Sequence, residues 1–505
     1  MACYLYNLFR SRFPESEKAF LETSDSRVIS YGEVEATTAK MANALLALGL
    51  EPGDRVAVQV EKSPEALLLY LACVRAGGVF LPLNTAYTAA EIDYFLNDAR
   101  PRVFVCDPAR LQGLASVARA AGVQRVETLD ERGLGSLTDP WREAAAHDPG
   151  VQRGRDDLAA ILYTSGTTGR SKGAMLSHDN LASNALALVD VWRFSASDVL
   201  IHALPIYHTH GLFVATNTLL LAGGSMLFLP KFDADAIMRL MGRATALMGV
   251  PTFYTRLLQR DDLTAASTRH MRLFVSGSAP LLAETHRAWR HRTGHAILER
   301  YGMTETNMIA SNPYEGERLP GAVGLPLPGV SLRIADPESG APVATGGIGV
   351  IEVKGPNVFL GYWKMPDKTA SEFRKDGFFI TGDLGKIDDR GYVHIVGRGK
   401  DLVISGGFNV YPKEVEDEID ALAGVAESAV IGLPHPDLGE GVAAVVVRSG
   451  DAEVEETQVL AALRDRLARF KQPKRVYFVD ALPRNSMGKV QKNILRETYR
   501  DAFHC

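Results

Sequence analysis

Apolar and polar positions alternate between two periods along the first part of the chain. Between Tyr31 and Leu50 the apolar residues recur at helical spacing, and the apolar run from Arg55 to Val60 that follows predicts a buried strand. The succession continues with a helix, a strand, a helix and a strand over Pro64–Ala76, Val79–Leu83, Glu91–Asp98 and Val103–Cys106. It resumes at the apolar strands Ala159–Tyr163 and Arg272–Val275. Such alternation is typical of an α/β fold with largely parallel sheets.

The pattern changes after Gly329. Short predicted strands separated by Gly, Pro and Asp turns indicate a small β-rich section, over Ser331–Ile334, Gly349–Val353 and Gly391–Val396. A charged joint, Gly397–Lys400, is followed by an α+β unit with helices predicted near Lys413–Ala423 and Glu455–Arg469. We therefore expect a large N-terminal domain over residues 1–397 and a small mobile domain over residues 398–505, hinged near Lys400.

Length and charge exclude some classes of protein. At 505 residues the chain is too long for one ordinary core, so two or more domains are expected. Lys and Arg total 55 against 60 Asp and Glu, a net charge of -5, whereas a protein that coats nucleic acid requires a basic face. A small anionic ligand needs only a local cluster of cations, so small-molecule partners stay open.

The cysteines and the apolar runs bear on the cellular compartment of the protein. Cys3, Cys73, Cys106 and Cys505 form no C-x-x-C pair, so neither a zinc site nor a disulfide framework is predicted. The run Ala66–Val74 is too short to cross a bilayer. We expect a cytoplasmic protein without stable membrane association, as a monomer or weak homo-oligomer.

The segment Tyr163–Gly173 carries the strongest chemical signal. It follows an apolar strand and precedes a helix predicted to begin near His178. Its glycines allow tight turns, its hydroxyls can donate hydrogen bonds, and Arg170 and Lys172 add positive charge. The segment therefore predicts a polyphosphate cradle, although it does not fit a Walker A loop. Its predicted binding residues are Thr164, Ser165, Gly166, Thr167, Thr168, Gly169 and Lys172.

Five motifs in order resemble those of the adenylate-forming superfamily, which includes acyl-CoA synthetases, luciferases and peptide-synthetase adenylation domains. They are Thr164–Gly173, Tyr301–Glu305, Thr381–Asp383, Gly397–Asp401 and Pro483–Lys489, and the resemblance extends over about residues 30–495. It implies two half-reactions. MgATP and a carboxylic acid give an acyl-adenylate and pyrophosphate, and the thiol of coenzyme A then displaces AMP.

The resemblance also implies residue roles. Glu305, with Thr164, would hold Mg²⁺, Thr304 would contact the α-phosphate, and Lys489 would offset the charge that builds as the carboxylate attacks. Lys400 would be the hinge, and Ser405, Gly406 and Gly407 would line the channel for coenzyme A. Asp383 would bind the ribose and Tyr301 would stack on adenine. The full adenine and ribose set is Ser276, Gly277, Ser278, Ala279, Glu299, Arg300, Tyr301, Gly302, Met303, Asp383 and Arg398.

The identity of the acid depends on Arg256. Leu204–Leu212 and Gly249–Arg256 correspond to the walls of the acyl pocket in the superfamily. If Arg256 turns inward from a helix that begins at Pro251, its guanidinium would pair with the second carboxylate of a dicarboxylic acid. His208, His210 and Ser276 would complete the acid site. If Arg256 turns outward, its side chain gives no reason to expect a dicarboxylic acid.

Three stretches, His202–Asn217, Gly249–Gln259 and Leu273–Trp289, resemble malonyl-CoA synthetases more than general acyl-CoA synthetases. We therefore expect malonate as the acid, with methylmalonate as a further substrate because an extra methyl is hard to reject by packing. Two enzyme alternatives stay open, a general short- or medium-chain acyl-CoA synthetase and a stand-alone enzyme that loads a carrier protein. A nucleotide-binding protein without catalytic activity is the third alternative.

Overall fold

The computed structural model describes residues 3–164, 171–405, 408–450, 452–464, 466–467, 469–485 and 488–503. Two large sheets form the N-terminal part. One has nine strands, in the order Leu325–Pro326, Asn307–Ser311, Leu298–Met303, Leu273–Ser276, Ala246–Gly249, Val199–His202, Ser225–Phe228, Ala19–Thr23 and Val28–Ser30. The other has seven, in the order Gly361–Tyr362, Lys172–Ser177, Leu158–Thr164, Val79–Pro82, Arg55–Gln59, Val103–Cys106 and Arg125–Thr128.

Helices cover the faces of these sheets. The α-helices of the N-terminal part are Tyr4–Arg10, Tyr31–Ala47, Pro64–Arg75, Ala89–Ala99, Leu111–Ala120, Thr138–Glu143, His178–Val191, Thr216–Ala222, Ala234–Leu240, Pro251–Leu258, Ala283–Thr293 and Pro366–Ser371. A π-helix spans His210–Ala215, and 3₁₀ turns span Pro108–Arg110 and Gly399–Asp401. Among the residues described, no helix combines the length and the apolar character needed to cross a bilayer.

The helix Pro64–Arg75 shows how the sequence builds the core. Ser63 caps it by accepting a hydrogen bond from the Ala66 N–H, and Pro64 occupies the first helical position, where no N–H is needed. Every residue of this helix is buried, because its apolar side chains are not confined to one face. Its charged ends are paired, Glu65 with Arg27 at 2.6 Å and Arg75 with Asp148 at 3.2 Å.

Two smaller sheets complete the fold. A four-stranded antiparallel sheet comprises Ser331–Ala335, Gly349–Lys354, Phe379–Ile387 and Val393–Arg398. The C-terminal unit has five strands, Phe408–Val410, Val403–Ser405, Gly439–Arg448, Val425–His435 and Arg475–Val479. The helices Pro412–Asp420 and Glu456–Leu463 cover one face of this sheet, and Lys492–Thr498 covers the other.

The α/β class, the β-rich section and the helix beginning at His178 are confirmed, one strand was not predicted, and two predicted bounds are corrected. A strand, Lys172–Ser177, separates the phosphate loop from the helix at His178, because Ala174 and Leu176 are buried against the antiparallel strand Leu158–Thr164. The strand predicted from Gly391 starts at Val393, since Gly391 adopts a left-handed turn conformation. The helix predicted over Glu455–Arg469 ends at Leu463.

Candidate active site

The predicted site residues lie at the carboxyl ends of the parallel strands of the nine-stranded sheet. Gly249 ends its strand beside Ser276, and Ser276 pairs in register with Glu299 on the next strand. His202 ends the strand on the other side of Ala246–Gly249. Ligands of open α/β sheets bind in the crevice outside such strand ends. The fold therefore brings together residues that are far apart in the sequence.

Tyr301, Asp383 and Arg398 form a connected group. The Tyr301 hydroxyl donates a hydrogen bond to Asp383 Oδ2 at 2.5 Å, and Arg398 Nε lies 3.0 Å from Asp383 Oδ1. The negative charge of Asp383 raises the pKa of Arg398. A carboxylate has about four acceptor positions, so Asp383 can still accept from ribose hydroxyls. Ribose binding and the stacking of Tyr301 on adenine stay predictions.

Glu305 lies in the turn between the strands Leu298–Met303 and Asn307–Ser311, with Thr304 partly exposed beside it. The turn is tight: a Cβ on Gly302 would lie 2.0 Å from the Asn307 carbonyl oxygen, so this position has no room for a side chain. A contact of Gly302 with nucleotide stays a prediction. Burial raises the pKa of Glu305, while the Tyr362 hydroxyl, 3.0 Å from Oε1, and the charge of Lys172 lower it.

The surroundings of Glu305 fit Mg²⁺. The carboxylate is buried and forms no ion pair among the residues described, so a cation would satisfy it. Carboxylate oxygen is the ligand type that Mg²⁺ prefers. The described residues contain no group of three or more His, Cys, Asp and Glu side chains that could hold a metal ion, so phosphate oxygens would have to supply other ligands.

The ends of the phosphate loop face each other. Thr164 and Lys172 are partners in the antiparallel ladder, and the Thr164 hydroxyl donates to the Lys172 carbonyl at 3.4 Å. The predicted residues Ser165, Gly166, Thr167, Thr168 and Gly169 lie outside the described residues. Lys172 Nζ lies 3.3 Å from Glu372 and 4.1 Å from the centroid of the Tyr362 ring, so its ammonium group is held near Glu305.

Lys489 reaches this cleft from the C-terminal unit. The Lys489 side chain keeps access to solvent. Protein surrounds it on several sides, and the resulting desolvation, followed by the charge of Arg398, lowers its pKa. Asp383 and Glu305 act in the opposite direction. The neighbouring Gly488 lies against the helix Pro251–Leu258, where its Cβ position is 3.8 Å from Thr252. The fold thus brings Lys489 into the same cleft as the predicted nucleotide and acid residues.

The contacts of Arg300 differ from those of its neighbour Tyr301. Along a strand successive side chains point to opposite faces, so Arg300 points away from Tyr301. Its Nη2 donates to the Ser278 hydroxyl at 3.3 Å, and that hydroxyl lies 3.3 Å from His210 Nδ1. A role of Arg300 at adenine and ribose stays a prediction, and its observed contact is with Ser278, beside His210. Burial lowers the pKa of Arg300 to about 9.

The other residues predicted for the adenine and acid sites differ in burial and in hydrogen bonding. Ser276 is fully buried, and its hydroxyl has no hydrogen-bond partner among the described residues. Ser278 has a φ of 72°, and Ala279 is partly buried beside it. Glu299 is buried and accepts the Leu281 N–H at 3.3 Å, and Met303 ends the strand partly exposed.

His210 begins the π-helix His210–Ala215, His208 lies in the loop before it, and His202 ends the strand Val199–His202. His202 Nε2 lies 2.9 Å from the Gly211 carbonyl, which can only accept, so the proton is on Nε2. His202 Nδ1 then accepts from Lys62 Nζ at 2.9 Å. Burial lowers the pKa of His208 to about 3 and that of His210 well below its usual value, so both rings are neutral at working pH.

Arg256 lies on the outer part of the helix Pro251–Leu258 and is exposed. Its guanidinium is 5.6 Å from the centre of the Phe232 ring and forms no ion pair with any described carboxylate. Arg256 follows Thr252 by four residues, so both are on one face of the helix, the face near Gly488. Binding of a second carboxylate by Arg256 stays a prediction.

The predicted hinge and channel lie at the start of the C-terminal unit. Lys400 is in the 3₁₀ turn Gly399–Asp401 that follows Arg398. Ser405 is buried at the end of the strand Val403–Ser405, and Gly406 and Gly407 lie outside the described residues.

Three residues that contact the candidate site were not predicted from the sequence. Lys62 and His202 carry no sequence signal, because their contacts join residues 140 positions apart. Tyr362 donates to Glu305 and also lies 2.6 Å from Glu372, a bridge that spacing alone cannot predict. The position of Arg300 could have been found, because the alternation of side chains in Glu299–Met303 separates it from Tyr301.

Fold and site together define a class of protein: a two-part enzyme in which a small C-terminal unit brings a lysine into the cleft of a large α/β unit. The family model "AMP-binding enzyme" matches residues 10–363, and "AMP-binding enzyme C-terminal domain" matches residues 414–489. The chain belongs to the AMP-binding enzyme family.

Similar proteins include MatB from Rhodopseudomonas palustris, at 66% identity over all of both chains, with a TM-score of 0.98 to its ATP-bound form and 0.88 to its apo form. The feruloyl-CoA synthase of an Amycolatopsis species is 37% identical, covering 93% of this chain and 94% of the relative. The malonate–CoA ligase of Arabidopsis thaliana is 32% identical, covering 98% of this chain and 89% of the relative.

Proposed function

We propose that this chain is an ATP-dependent acid–CoA ligase whose acid is malonate. In the first half-reaction a malonate oxygen attacks the α-phosphorus of ATP, the bond to the bridging oxygen breaks, and pyrophosphate leaves. In the second, the sulfur of coenzyme A attacks the acyl carbon, the acyl–oxygen bond breaks, and AMP leaves while the thiol proton is released. The products are malonyl-CoA, AMP and pyrophosphate.

The observation that carries this proposal is the buried guanidinium of Arg300. It is 3% exposed, has no carboxylate partner among the described residues, and lies on the same side of the strand ends as His210. An unpaired buried cation is costly, and a bidentate carboxylate is its natural partner. Malonate has one carboxylate to react near Lys489 and a second to pair with Arg300. Arg256 is a second candidate partner, nearer the entrance.

The relatives support two acids to different degrees. The Arabidopsis malonate–CoA ligase matches the chain over nearly its whole length. The feruloyl-CoA synthase is somewhat more similar in sequence, so an aromatic acid is the second candidate. An aromatic ring would leave Arg300 buried without an anion, and this electrostatic cost favours malonate.

Lys489 and the two neutral histidines would have different roles at the acid. The Lys489 ammonium would offset the charge on the attacking carboxylate and the α-phosphate. His208 and His210 can donate hydrogen bonds without adding charge, since burial keeps them neutral. Mg²⁺, when bound by Glu305 with the help of Thr164, would shield the phosphate charges, and Lys172 and Thr304 would contact phosphate oxygens.

The second half-reaction requires Lys489 to leave the cleft, and we place this movement at a hinge near Lys400, between domains of residues 1–397 and 398–505. The greater similarity to ATP-bound than to apo MatB supports an arrangement suited to adenylation. After the swing, Ser405, Gly406 and Gly407 would line the pantetheine channel. We further propose a cytoplasmic monomer or weak homo-oligomer that does not bind nucleic acid or associate stably with membranes.

Malonate-dependent exchange of labelled pyrophosphate into ATP tests the first half-reaction without coenzyme A. We expect exchange with malonate and a loss of about 30- to several-thousand-fold in Arg300→Ala, because one partner of a buried ion pair is removed. Arg256→Ala, measured in parallel, separates the two arginines. If Arg300→Ala reduces exchange equally with malonate and with propionate, Arg300 does not bind the second carboxylate.

A further inference from the structure

We propose that Gly277 determines the charge selectivity of the acid site, because the Arg300 guanidinium occupies the space that a side chain at position 277 would need. This inference rests on the proposed function of Arg300. It concerns a residue that the sequence grouped with the adenine site, and it assigns that residue to the choice of acid instead.

Distances define the overlap. A Cβ built on Gly277 would lie 2.4 Å from Arg300 Cζ, 2.5 Å from Nε and 2.7 Å from Nη1. All three distances are well inside van der Waals contact, which for carbon pairs is about 3.5–4.0 Å. The guanidinium therefore packs flat against the Gly277 backbone, and any other residue at this position would displace it.

Space, and not backbone conformation, is what requires glycine here. Gly277 is absent from the residues with positive φ, so an L-residue could adopt its backbone conformation without strain. The next residue, Ser278, does carry strain, with a φ of 72°, a conformation that is unfavourable for a non-glycine residue. This conformation puts its hydroxyl between Arg300 Nη2 and His210 Nδ1, at 3.3 Å from each.

The guanidinium has little freedom to move away from an added methyl. Arg300 is 3% exposed, and Nε is buried without a hydrogen-bond partner in the described part of the chain. Tyr254, which is fully buried, lies close enough to act on the pKa of Arg300. A methyl at position 277 would therefore misplace the guanidinium. A carboxylate that depends on it would be affected, while an acid without a second charge would not.

Gly277→Ala tests this inference through acid selectivity. We expect kcat/KM for malonate in pyrophosphate exchange to fall about 10²-fold, as for a misplacement of about 1 Å, and kcat/KM for propionate to change by less than about 3-fold. Thermal unfolding and ATP binding of the variant are measured alongside, so that a folding defect would be recognised. Equal losses for the two acids in a folded variant that binds ATP would overturn the proposal.

A double-mutant cycle with Arg300→Ala provides the second test. Once the guanidinium is gone, Gly277→Ala meets no obstacle, so the double variant should match Arg300→Ala within about 2-fold for malonate. A further loss as large as in the parent background would show that the methyl acts elsewhere and would overturn the inference. Selective malonate loss in Arg300→Ala with an unaffected Gly277→Ala would refute this inference alone. Equal loss of both acids in Arg300→Ala would refute the proposed function.

Discussion

Arg398 forms an ion pair with Asp383, with 3.0 Å between Nε and Oδ1, and this pair ties the end of its strand to the N-terminal part. Asp401, three residues later, pairs instead with Arg496 of the C-terminal unit at 2.6 Å. We therefore propose that the chain passes from one unit to the other at Gly399 and Lys400. A rotation of the C-terminal unit about these two residues would leave both ion pairs intact.

Lys400→Pro should block the second half-reaction. Proline fixes φ near −65°, so a hinge that must adopt two conformations would be restricted to one. We expect pyrophosphate exchange to survive, because the observed arrangement has Lys489 in the cleft, and thioester formation to fail. Lys400→Ala, which keeps φ free, is the control and should retain turnover. Full turnover in Lys400→Pro would place the hinge elsewhere.

Lys489→Ala should abolish adenylation and spare the second half-reaction. The ammonium acts on the attacking carboxylate and the α-phosphate, which are already joined in the acyl-adenylate. We expect a loss of at least ~10²–10³-fold in pyrophosphate exchange and nearly normal thioester formation from supplied malonyl-adenylate. Lys375→Ala, at an exposed turn position, is a matched control. Equal loss in both half-reactions would contradict the assignment.

The sequence predicted elements well where the hydrophobic period was clear, as in the helix Tyr31–Ala47 and the strand Val103–Cys106. It could not predict strand order, for example that Val199–His202 lies between Ala246–Gly249 and Ser225–Phe228, because pairing depends on packing far along the chain. It also missed the strand Lys172–Ser177, whose short apolar pattern resembles the end of a loop.

Some features of the candidate site could likewise be predicted from the sequence and others could not. Motifs led to the prediction of Asp383, Glu305 and Lys489, since each stands in a short segment with a distinctive pattern, and the fold brings these three side chains near one another. Contacts such as that of Lys62 with His202 join distant segments and have no local signature. Arg300 was in a recognised motif, yet its motif alone did not say which face of the strand it occupied.

Arg300→Met should stabilise the protein in the absence of acid. The substitution keeps most of the side-chain volume and removes a buried cation that lacks an anionic partner. We expect the free energy of unfolding to rise by about 1–3 kcal/mol, measured by denaturant unfolding. Malonate should raise the melting temperature of the parent and not that of the variant. A destabilised variant would indicate that the guanidinium is held by favourable contacts already.

Glu299→Gln should flatten the dependence of stability on pH. Burial raises the pKa of Glu299 to about 8, against about 4.3 for an unfolded glutamate. Between these values the folded state binds more protons, so this group makes the free energy of unfolding fall as pH rises, by at most about 1.4 kcal/mol per pH unit. Glutamine cannot ionise and can still accept the Leu281 N–H. An unchanged slope between about pH 6 and pH 8 would contradict the buried, protonated carboxyl.

ATP-dependent formation of CoA thioesters from acetate, malonate, methylmalonate, succinate, octanoate and ferulate tests the central claim most directly. We expect the highest kcat/KM for malonate, with methylmalonate next because one methyl is hard to exclude. Succinate should be poor, since a fixed guanidinium suits one spacing between carboxylates, and the three acids without a second charge should be poor as well. A preference for ferulate or octanoate over malonate would contradict the account.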